Sequence, residues 1–150
     1  RTFENNISLK KLDLSINQIW KLPDDSFNKL TELEYLNLSE NQIKSFDETL
    51  FKNNGKLVEL HLNENLLKTF EPNTFVNLVN LEILRLDANL LTELPVSLFR
   101  NNKKLKTLTF HNNMEISERN RYHLRAVYRS LLGKCQNIDG EFIGFCDVYV

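Results

Sequence analysis

The chain has 150 residues, 41% hydrophobic and 26% charged, with a formal net charge of −1. That balance belongs to a folded chain and excludes a disordered one. The near-neutral charge argues against nucleic acid or an anionic membrane as partner, since both call for a basic excess, and no apolar run reaches the roughly 18 residues of a membrane span. Leu (27) and Asn (20) fill nearly a third of the sequence, which signals a repeat.

In chain order, residues 2–8 hold FENNIS (Phe3–Ser8), which matches the tail of a unit rather than its start. Full units then open at Leu9, Leu33, Leu57, Leu81 and Leu105, spaced by 24 residues without insertion. Each begins as L-x-x-L-x-L. Two Leu at period two point to one side and their neighbours to the other, as in a half-buried strand. The spacing predicts parallel strands centred on Asp13, Asn37, His61, Arg85 and Thr109. An Asn recurs at 17, 41, 65, 89 and 113. Its amide can satisfy backbone groups where strand becomes loop.

Further along each unit, Phe27, Phe51, Phe75 and Phe99 form a second column, with Phe3 in phase. Ile19, Ile43, Leu67 and Leu91, then Leu22, Phe46, Phe70 and Leu94, complete the predicted core. These segments lack the periodicity of long helices, so short 3₁₀ or irregular turns are expected. The unit ends alternate with period 48: FKNNGK and FRNNKK against FNKLTE and FVNLVN. FENNIS matches the first kind, so the natural chain is expected to extend further N-terminally.

After Met114 the repeat stops, giving a division into repeats over 1–116 and a cap over 117–150. Ser117 can N-cap a helix. Leu124, Val127, Tyr128 and Leu131 fall at i, i+3, i+4 and i+7, and Gly133 suits a helix stop. Such a helix would cover the open end of the array. Arg119, Arg121, Arg125, Arg129 and Lys134 read as its solvated side, with an anionic partner site as the alternative. Cys135 and Cys146, the two cysteines of the chain, flank a turn at Ile138–Glu141. A disulfide between them is the leading reading; free buried thiols and an intermolecular bridge remain open.

The units LKKLDLSINQI, LEYLNLSENQI, LVELHLNENLL and LEILRLDANLL resemble the leucine-rich repeat, L-x-x-L-x-L-x-x-N-x-L. The 24-residue length and the L-P-x-x-x-F pieces at Leu22–Phe27 and Leu94–Phe99 are similar to the typical subtype of extracellular animal proteins. The cap departs from the four-cysteine cap, with its Pro-Trp-x-Cys opening, usual in that subtype. A helix with a cysteine pair is weakly similar to insect, especially mosquito, immune proteins. The resemblance implies an α/β solenoid: a right-handed, curved array with a parallel concave sheet and a C-terminal helical cap. It also implies a secreted or extracellular module that binds a protein, or a glycan, on its concave face.

That face would present three columns: Lys11, Tyr35, Glu59, Ile83, Thr107; Asp13, Asn37, His61, Arg85, Thr109; and Ser15, Ser39, Asn63, Asp87, His111. Tyr35 and Ile83 stand out as exposed bulky groups. The variety favours specific recognition of one protein over generic scaffolding. The other class of function is an assembly protein, homo- or heterodimeric, joined through its cap or sheet edge. No catalytic motif, phosphate loop, metal-ligand set or cofactor signature occurs. His61 and His111 lie two strands apart, roughly 10 Å, too far to share a metal. Two sequons, Asn6-Ile7-Ser8 and Asn37-Leu38-Ser39, mark candidate glycan acceptors if the chain is secreted.

Overall fold

A computed structural model describes residues 3, 5–95 and 97–113. The helix expected from Ser117 and the pair Cys135 and Cys146 lie outside the described residues. Five strands, β1 (Lys11–Asp13), β2 (Tyr35–Asn37), β3 (Glu59–His61), β4 (Ile83–Arg85) and β5 (Thr107–Thr109), form one sheet in sequence order. All neighbours are parallel, and every partner lies 24 residues away, as in Leu36↔Leu60 and Leu60↔Leu84. Four turns of a solenoid therefore join the five strands, one repeat per turn.

The strands centre on Leu12, Leu36, Leu60, Leu84 and Leu108, one residue before the expected centres. The reason lies at the strand entry. The carbonyl of Lys10 accepts from both Glu34 N (2.8 Å) and Tyr35 N (3.0 Å), and this starts the ladder early. Glu34, Val58 and Glu82 do the same one unit later each time. Single parallel bonds continue past the strands, as Leu14 N to Asn37 O and Ile16 N to Ser39 O.

Leu36, Leu38, Leu60, Leu62, Leu84 and Leu86 are wholly buried, which is the inside–outside alternation expected of L-x-L. Leu12 and Leu14 are half-buried, because no described unit covers β1. The Phe column forms as a stack. Phe27–Phe51, Phe51–Phe75 and Phe75–Phe99 have centroids 6.2, 6.3 and 6.0 Å apart. Phe46 and Phe70 pack across it at 5.5 and 5.1 Å from Phe51 and Phe75. Each such pair adds about 0.5–1.5 kcal/mol beyond its area. The segments carrying this stack are i-to-i−3 bonded turns, such as Leu30 N to Phe27 O, and no α-helix occurs among the described residues.

From Asn41 on, the Asn column is a ladder with four contacts per side chain; Asn17, at its start, makes two, to Leu14 O and Ser15 O. Asn41 Nδ2 lies 3.1 Å from Leu38 O and 3.0 Å from Ser39 O in its own unit, and 2.9 Å from Leu14 O in the unit before. Its Oδ1 accepts from Ile19 N at 3.0 Å. Asn65 and Asn89 repeat the pattern. The residue before each of these Asn has positive φ: Ile16, Glu40, Glu64, Ala88 and Asn112, at 51–55°.

A second Asn ladder explains the period of 48. Asn54 and Asn102 are wholly buried. Asn54 Nδ2 donates to Phe27 O and Leu30 O at 3.0 and 2.9 Å, and Asn102 Nδ2 to Phe75 O and Leu78 O at 2.9 and 2.8 Å. Units one and three carry Leu30 and Leu78 at this position, so Leu and Asn alternate along the core.

Candidate functional site

The open face of the sheet is built by the strand residues that flank the buried Leu. Register puts Lys11, Tyr35, Glu59, Ile83 and Thr107 in one row, and Asp13, Asn37, His61, Arg85 and Thr109 in the next. Adjacent strands lie about 4.8 Å apart, so each residue meets its counterpart in the next unit. Lys11, Asp13 and Arg85 are exposed; the other seven are half-buried. Tyr35 and Ile83 are thus less open than the sequence suggested. Tyr35 and His61 pack in a T-shaped contact, with centroids 5.3 Å apart at 72°.

Tyr35 and His61 sit at the centre of a polar cluster. His61 Nε2 lies 3.5 Å from Glu59 Oε2. On the N-terminal side, Asp13 Oδ1 accepts from Ser15 N (2.9 Å) and Ser15 Oγ (2.7 Å). Those two bonds, the hydroxyl first, hold the Asp13 carboxyl below the usual carboxylate range. Asn37 Nδ2 donates to Asp13 Oδ2 at 3.3 Å, while its Oδ1 accepts from Ser39 N and Oγ at 3.0 and 2.7 Å. Asn37 therefore points off the sheet, as its place between Leu36 and Leu38 requires, with its amide held at both ends.

Burial pushes His61 below its ordinary pKa of 6.5; the Arg85 guanidinium adds to this, and Glu59, Asp13 and Asp87 oppose it. Burial also raises the Tyr35 phenol, helped by the carboxylates of Asp13 and Glu59. At neutral pH the centre therefore presents a neutral imidazole and a neutral phenol between charged neighbours. On the C-terminal side, Thr109 Oγ1 donates to Asp87 Oδ1, and His111 Nε2 lies 3.8 Å from Asp87 Oδ2. Asn6 is exposed and lies away from this face, in the connection before β1.

Sequence reasoning passed over one surface feature. Trp20 is 65% exposed and, with Leu22 and Phe46, lines a cleft of about 710 Å³ on the flank that follows the Asn ladder. The signal was available: units two to four carry Lys44, Lys68 and Thr92 where the first carries Trp. Among the described residues, no helix is long and apolar enough to cross a membrane.

Many solved structures share the fold, three of them as follows. The leucine-rich repeat domain of APL1B aligns over 74% of this chain and 33% of its own, at 28% identity and a TM-score of 0.69. TLR13, solved in a complex with ssRNA13, aligns over 81% of this chain and 17% of its own, at 32% identity and 0.73. The Drosophila Toll–Spatzle complex, described as a hub in development and innate immunity and solved in glycosylated form, aligns over 75% and 15%, at 28% and 0.73. The chain thus spans a third or less of each of these relatives. No curated protein matches it. The profile of the BspA type leucine rich repeat region matches residues 1–124 in six copies. With one parallel strand and one recurring Asn per 24-residue turn, the chain belongs to the BspA-type leucine-rich repeat family.

Proposed function

We propose that the chain is an extracellular protein-binding module that works through the open face of its sheet, in the setting of innate immunity. One observation carries this reading. The half-buried Tyr35–His61–Glu59 cluster is flanked by exposed Arg85 and Asp13 and stands on wholly buried Leu36, Leu60 and Leu84. Side chains held by their neighbours lose little entropy on binding, and an aromatic beside an Arg is the usual composition of a hot spot. Lys11 and Arg85 are opposed on this face by Asp13, Glu59 and Asp87, a mixture that suits a protein better than a polyphosphate backbone. The extracellular, immune setting draws support from the neighbours: APL1B, and Toll in complex with Spatzle.

The test is affinity capture from extracellular fluid with paired baits. A protein retained by the unaltered chain and lost with Tyr35→Ala and Arg85→Glu is the expected result. An identical captured set would reject this face. The competing reading, an assembly protein that dimerises through cap or edge, predicts a dimer by light scattering without any ligand. The Asn37 sequon bears on the same face. A glycan on Asn37 would cover the sheet beside Tyr35 and push a ligand towards Arg85, Asp87, Thr109 and His111. Glycopeptide mapping of protein from a secretory host decides this: an unmodified Asn37 leaves the whole sheet open.

A further inference from the structure

We propose that the cleft beside Trp20 holds an arginine-bearing basic segment of a partner protein, at a second surface separate from the open sheet face. Trp20 is among the few large apolar residues left exposed. It does not stand alone, because Leu22 and the half-buried Phe46 continue the apolar lining into the cleft. Around this lining stand four carboxylates, Asp24, Asp47, Glu48 and Glu71, against two ammonium groups, Lys21 and Lys44. Asp24, Glu48 and Glu71 form no ion pair among the described residues. Asp47 is fixed through Oδ1, which accepts from Thr49 N and Oγ1 at 2.8 and 2.5 Å. Its folded carboxyl is held below the usual range by those bonds, the hydroxyl first, so it is ionised at neutral pH.

An acidic rim around an indole and a phenyl ring matches one side chain best. A guanidinium stacks on an indole face, lays its methylene stem on apolar surface and forks to carboxylates. Phosphate-bearing ligands carry the wrong sign. A bound divalent ion is not supported, since no three metal-ligating side chains converge among the described residues. The volume, about 710 Å³, is in the range of clefts that enclose a ligand rather than a single ion.

Trp20 is the one tryptophan of the chain, so its emission reports this cleft alone. Titration with a blocked hexa-arginine peptide should give a saturable change in that emission, and hexa-glutamate should give none. The triple variant Asp24→Asn, Glu48→Gln, Glu71→Gln keeps the indole and should weaken binding by roughly tenfold or more. Trp20→Lys, which copies units two and three, should abolish binding by calorimetry. Trp20, Asp24 and Glu71 are exposed and Glu48 is half-buried, and circular dichroism should show a folded chain for each variant. Arg85→Glu should leave the titration unchanged, so failure of the open-face reading is distinguishable from failure here. The proposal is overturned by no saturable change, by an equal response to hexa-glutamate, or by unaltered affinity in the triple variant. A shift of Trp20 emission on concentrating the protein alone would overturn it too, by assigning the cleft to a second copy.

Discussion

Ile16 has φ of 55° and is 73% exposed, a combination that a β-branched residue adopts only under constraint. The equivalent residue in the last described unit is Asn112, a type that tolerates this region. Ile16→Asn should therefore raise stability by about 1 kcal/mol, read as a higher urea midpoint at constant slope. His61 sets a pH dependence. Its folded pKa lies below the ordinary 6.5, so the unfolded chain takes up its proton first as the pH drops. The His61 contribution to stability is then full above 6.5 and is lost as the pH falls from 6.5 through the folded value. His61→Gln should flatten the stability–pH profile in that window; an unchanged profile would show that burial does not lower the His61 pKa. Asn6 is in phase with Asn54 and Asn102, which lie wholly inside the array. Stacking a further unit on Asn6 would turn its amide inwards and remove it as a glycan acceptor, which glycopeptide mapping of a longer chain checks.

Strand and ladder divide the energy of each unit unequally. Leu84 is wholly buried beside exposed Arg85. Leu84→Ala should cost about 2–5 kcal/mol, whereas Arg85→Glu should change stability little, and chemical denaturation of the two variants separates them. The Asn ladders rank next. Asn65→Ala would orphan the Ile43 N–H and remove a donor from Leu38 O, a loss of about 1–3 kcal/mol. Lys10–Glu34, Lys56–Glu32 and Lys106–Glu82 also join residues 24 apart, at 2.8, 2.6 and 2.7 Å. All three stand in solvent and add little, so high salt should leave the unfolding midpoint close to its low-salt value.

At the scale of the molecule, each unit rests on its two neighbours, and stability is a sum of unit and interface contributions. Leu12, Leu14 and Ile19 are half-buried where the first described strand has one neighbour, whereas Leu60 and Leu62, between two neighbours, are wholly buried. Among the five strands of the 150-residue chain taken by itself, hydrogen exchange should accordingly be fastest around β1 and slowest around β3. At the other end we propose that Cys135 and Cys146 form a disulfide that closes the cap. Model-dependent loop entropy would supply about 2–3 kcal/mol locally. Intact-mass measurement without reductant should show two fewer protons than the dithiol, and two titratable thiols would refute the bridge.

The period of 24, the buried Leu, the Phe stack and the first Asn ladder could all be read from the sequence. Each unit places the same residue type in the same environment, so the pattern is written five times over. Outward orientation of Tyr35, Asn37, His61 and Arg85 followed from alternation along a strand. What they do there did not. The T-shaped packing of His61 on Tyr35 and the bond from Asn37 to Asp13 depend on side chains from neighbouring units meeting across the sheet, and the lowered His61 pKa on the burial this produces. The 48-residue alternation was visible as letters. Its cause became clear only when stacking brought Asn54 within reach of two carbonyls from the preceding unit. The Trp20 cleft is likewise a product of tertiary structure. Residues 20–24, 44–48 and 71 belong to three units, and only winding the solenoid sets an indole, a phenyl ring and four carboxylates around one space.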